Sequence, residues 1–167
     1  MAQQLSKAIQ HLQQKAQTLR EAFEKVQSNR YYWQRKTKPL LETTLNQIRN
    51  DTGLNGSYQE VSNDSIRFVI SDEQGEETAV LSFILTHNSR VSVDVSYHSR
   101  TYHPETKTQL FSNLYNLEPG LLDEELIYTI VTQFIDVILN EYNTKPATYK
   151  NLNDQSVKQY IRMRPGK

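Results

Sequence analysis

The sequence predicts an α+β domain with helices at both ends and an antiparallel sheet between them. Three observations carry this prediction. Apolar residues recur at helical spacing from Leu5 to Val26, a period of two runs from Tyr58 to Tyr97, and a wide apolar helical face follows Pro119-Gly120. The expected layout is a helical region over 1–52, a sheet of four or five strands over 57–115, a helix over 122–142 and an irregular basic tail over 143–167, all in one domain.

The first element is the clearest. Leu5, Ile9, Leu12, Ala16, Leu19, Phe23 and Val26 are spaced alternately four and three apart, a seven-residue repeat. No glycine or proline occurs before Pro39, and the intervening residues are tolerable or good helix formers. Pro39 is expected to separate this helix from a short second one, because the residue before a proline is biased away from helical geometry. Leu41, Leu45 and Ile48 make the second stripe, with Gly53 as its stop.

The period then changes to two. Tyr58 and Val61 mark a weak first strand, and Asn63-Asp64 a turn. Ile66, Phe68 and Ile70 alternate in a second strand, and the acidic run 72–77 around Gly75 turns the chain again. Residues 79–86 are nearly apolar on both faces, as a central strand requires. After Asn88-Ser89, Val91, Val93, Val95 and Tyr97 alternate with polar residues. Residues 107–115 supply a fifth strand. The short turns imply antiparallel pairing in a meander, although a Greek key satisfies the same alternation. Beyond Pro119-Gly120, Asp123, Glu124 and Glu125 suit a helix N-terminus, and Leu126 to Ile138 give that helix a broad apolar face to cover the sheet.

Composition excludes several function classes. Basic and acidic residues number 19 each, so no overall field draws the chain to nucleic acid. There is no cysteine, hence no disulfide, thiol catalysis or thiolate metal site. The N-terminus lacks a signal-peptide core, and the apolar run 126–139 is too short for a bilayer, so a cytoplasmic protein with no membrane association is expected. GxSxG, HExxH and glycine-rich phosphate loops are missing, and no cofactor or metal is expected.

Three candidate sites follow. The first is an interaction seam of Leu5, Ile9, Leu12, Leu19, Phe23 and Val26. A helix this long matches the diameter of the whole domain, so it either lies across the body or projects. Internal packing against the sheet or second helix is the favoured expectation. Ala8 and Ala22 widen the stripe, and its flanks (Ser6, Gln13, Lys15, Arg20, Gln27 and Asn29) lack the opposite charges that select a coiled-coil partner. The alternative is a seam shared with a second copy or another protein. That role requires a continuous rod whose apolar side is covered rather than wet.

The second candidate is an anion or single-stranded nucleic-acid patch of Arg30, Tyr31, Tyr32, Trp33, Arg35, Lys36 and Lys38, helped by Lys158, Arg162, Arg164 and Lys167 in the tail. The simpler expectation is that Trp33 plugs the corner between two helices. The third is a ligand pocket or active site of Asp94, Tyr97, His98, Arg100, Tyr102 and His103. His87 and His98 are separated along a hairpin by on the order of 30 Å and cannot share a metal. The leading functional expectation is a non-enzymatic interaction or self-associating domain. A small-ligand binder or enzyme comes next, and a nucleic-acid binder third.

Overall fold

A computed structural model describes residues 1–99 and 108–143. Its elements are α1 (Ala2–Tyr32), a π-helical turn (Trp33–Thr37), α2 (Lys38–Thr52), β1 (Gly56–Ser62), β2 (Ser65–Ser71), β3 (Glu77–Leu85), β4 (Val91–Ser99), β5 (Thr108–Leu117), a 3-10 turn (Pro119–Leu121) and α3 (Glu124–Asn143). The class is the α+β fold that the periodicity predicts. The five strands form one antiparallel meander in the order β1-β2-β3-β4-β5. The expected basic tail lies outside the described residues beyond Asn143.

Alternation places the core. Ile66 and Phe68, then Ala79, Leu81, Phe83 and Leu85, then Val91, Val93 and Val95 all point to one face of the sheet. Leu41, Leu45 and Ile48 of α2 and Ile127, Ile130, Val131 and Phe134 of α3 close over that face. The opposite face is mainly polar: Gln59 accepts from Arg67 (3.0 Å), and Asp94 from Asn113 (2.8 Å). Gly56 is required where β1 crosses Phe68, since a Cβ there would sit 2.3 Å from the buried ring's Cζ. Gly56→Ala should destabilise the fold by about 1–3 kcal/mol through overpacking. A thermal melt checks this, and an unchanged midpoint would mean that the ring has room to yield.

One expectation is corrected. Pro39 does not divide two helices, because the helix runs unbroken from Ala2 to Thr52. In α geometry a proline donates no N–H and its ring meets the carbonyl four residues back. The π turn resolves this by admitting one extra residue just upstream. Lys38 N–H donates to Trp33 O, five residues back, and Pro39 then stands at the start of α2. The insertion also re-aims the helix. Extending the α1 repeat beyond Trp33 gives Thr37, Leu40, Thr44 and Gln47. Thr37 and Thr44 are buried, but the buried apolar residues are Leu41, Leu45 and Ile48, so the apolar stripe slips by one residue where the helix docks on the sheet.

Candidate interaction surface

Internal packing, the favoured expectation for α1, is met only at its C-terminal end, where Val26 is half-buried against the body. None of its residues is buried. Leu5 is 64% exposed, Ile9 49%, Leu12 68%, Leu19 53% and Phe23 60%. Only Val26, at the end of the stripe, is half-buried among the six predicted seam residues. The stretch is the continuous rod that the repeat requires, and its apolar side is wet in a single chain. The covered apolar side that the seam role requires is therefore not found in the single chain, and by that condition the interaction expectation fails. The condition is too strict, because a surface buried between two molecules faces solvent in each one alone.

The point where α1 leaves the body is defined by polar contacts. Lys25 Nζ pairs with Glu118 at 2.5 Å, and Arg30 with Asp64 at 3.2 Å. Lys25 holds the Glu118 carboxyl below its ordinary pKa by a hydrogen bond and by its charge. Trp33 is fully buried, and its indole N–H donates to Asn63 O at 2.9 Å. Thr37 donates its hydroxyl to Pro119 O at 3.3 Å. Ala22, Lys25, Val26 and Asn29 line a shallow crevice against Asn88, Arg90 and Glu118. N-terminal to Ala22, the side-chain hydrogen bonds of α1 stay on the helix itself. Residues 2–21 therefore form an arm about 30 Å long. The residues that anchor it were not legible as a group, since Asn63, Asp64, Glu118 and Pro119 come from distant turns.

The aromatic and basic segment is largely spent on the fold. Trp33 is core, Arg30 pairs with Asp64, and Lys38 forms an ion pair with Glu60. Tyr31, Tyr32, Arg35 and Lys36 stay exposed, with the Arg35 guanidinium 5.4 Å from the centre of the Tyr31 ring. This leaves two tyrosines and two free-facing cations where the sequence offers seven residues.

Of the predicted ligand residues, two have described side chains, and these lie on different faces of the sheet. Tyr97 packs against the core cluster, whereas Asp94 lies on the opposite sheet face beside Ser92 and Asn113. His98 stands opposite Gln109 in the β4–β5 register. Arg100, Tyr102 and His103 lie outside the described residues. A groove of about 460 Å³ opens elsewhere, between the end of α2 and α3, lined chiefly by Ile48, Leu54, Tyr128, Val131 and Ile135. No sequence signal marks it, because its walls come from segments about 80 residues apart.

Among the described residues, no cluster of three or more His, Asp or Glu is placed to hold a metal, and no helix is long and apolar enough to cross a membrane. No protein-family model, curated protein or solved structure matches the chain.

Proposed function

We propose that this chain is a protein-interaction domain that acts by binding rather than by chemistry, with α1 as an arm presenting its apolar stripe to another helix. One observation carries the reading: five large apolar side chains recur on one side of a helix, clear of the body, and each is about half exposed or more. Scattered exposed apolar residues need no explanation, but a contiguous stripe on a projecting element does. Most helical stability in proteins comes from packing of an apolar face, so a partner on the stripe would stabilise the arm.

The magnitudes suit a reversible contact. Burying the exposed half of such a side chain contributes about 1 kcal/mol. Two facing stripes of five therefore contribute on the order of 10 kcal/mol, comparable with what association costs in lost freedom. The stripe alone supports a weak, concentration-dependent contact.

The test is a photo-crosslinking amino acid placed in cells at Leu12 or Leu19 on the stripe, or at Gln14 or Glu21 on the far side. Stripe positions should yield discrete crosslinked products and far-side positions none. Equal yields from both sides, or none from either, would sink the interaction reading.

A further inference from the structure

The groove between α2 and α3 is apolar in what it leaves open. Its walls are chiefly Ile48, Leu54, Tyr128, Val131 and Ile135. Its small polar groups are already engaged. Thr52 and Thr132 donate their hydroxyls to Ile48 O (2.6 Å) and Tyr128 O (2.9 Å) on their own helices. The Asn55 amide donates to Ser71 O at 3.1 Å. A small polar molecule would find few partners there, so an occupant is held mainly by apolar side chains. Leu139, 46% exposed, stands one turn beyond Ile135 and carries the apolar face toward the end of α3.

The surroundings are acidic. Along α3 the charged residues are Glu124, Glu125, Asp136 and Glu141, with no lysine or arginine. Asn55 ties the groove to the β2–β3 turn, where Asp72, Glu73, Glu76 and Glu77 occur without a basic residue. These charges favour an occupant that combines apolar anchors with positive charge.

One segment of this chain has that chemistry, and it leaves α3 two turns past the groove. We infer that the groove receives residues 157–161 of the same chain. Val157, Tyr160 and Ile161 stand at the spacing of one side of a helical turn. From Thr144 to Lys167 the basic residues are Lys145, Lys150, Lys158, Arg162, Arg164 and Lys167, against one acid, Asp154. The reach is ample. Ile135 lies about 12 Å back along α3 from Asn143. The chain from Asn143 to Val157 spans up to about 46 Å when extended. Tethering also supplies an effective concentration in the millimolar range, so a contact too weak to hold a separate peptide is populated within one chain. None of the groove's residues belongs to α1, so the stripe of the arm stays open.

The natural chain has no cysteine, so paired cysteines report proximity cleanly. In the full chain at low micromolar concentration, Ile135→Cys with Tyr160→Cys should close an intramolecular disulfide under mild oxidation. Thr129→Cys with Tyr160→Cys, the first on the side of α3 turned from the groove, should close at least about tenfold more slowly. Leu54→Cys with Ile161→Cys reads the opposite wall and covers the case in which Ile135→Cys loosens α3. Adding Lys158→Glu and Arg162→Glu to the groove pair should slow closure about threefold, as expected for an exposed ion pair. Equal rates for the groove pairs and the Thr129 pair would overturn the docking. Disulfides formed only between chains would overturn the same-chain occupant. A rate unchanged by the two glutamates would overturn the charge match that selects this segment. Each of these failures leaves crosslinking from α1 unchanged and so is distinct from failure of the interaction reading.

Discussion

Leu12→Glu combined with Leu19→Glu yields a folded chain that no longer binds through the arm. Both side chains lie on the arm, more than half exposed and away from the core. The body therefore loses no contact, and its melting midpoint should stay within about 1 °C, as for other surface changes. Against a partner each glutamate would place a charge in an apolar layer, which is costly without an opposite charge. Binding through the proposed stripe should weaken by at least about 100-fold, since each about 1.4 kcal/mol is a factor of ten. A thermal melt together with photo-crosslinking from Ile9 separates the outcomes. A variant that crosslinks as the natural chain does would move the contact off the stripe, and one that unfolds would mean that α1 supports the body.

Trp33→Ala should be the most destabilising single substitution in the helical region. The side chain is fully buried at the π turn, and it joins the helix to the β1–β2 turn through Asn63 O. Removing a large buried aromatic costs about 3–5 kcal/mol, a large part of a typical total stability of about 5–15 kcal/mol. For a chain of this size the melting midpoint should fall by about 6–20 °C. Trp33→Phe keeps most of the packing and loses the hydrogen bond, so it should fall in between. Equal melting points for the natural chain and Trp33→Ala would show that the corner is not a point of attachment. The arm's direction depends on this corner, so Trp33→Ala should also weaken binding through the stripe.

Much of the fold is legible in the residues, for a physical reason. Val91, Val93 and Val95 alternate because one face of β4 is dry, and 79–85 is apolar apart from Ser82 because β3 is central. Gly75, at φ 83°, is the residue its turn needs, whereas Ser89 takes φ 58° without being a glycine. Pro39 misleads because proline's local rule forbids an α-helical interior but not a π turn one residue earlier. Whether the stripe is covered is illegible for a different reason. Seven-residue spacing records that a helix buries one side, and it reads the same whether the cover comes from its own chain or from another molecule. Trp33 is legible: the simpler expectation, a tryptophan plugging the helix corner, is met by its full burial, and only its partner, the β1–β2 turn at Asn63, could not be read from its neighbours.

Photo-crosslinking from Leu12 and from Gln14 of the full chain tests the interaction reading most directly. Leu12 should give discrete products, near twice 19.5 kDa where the partner is a second copy, and Gln14 should give none. Equal yields from the two positions, or none from either, would contradict the account.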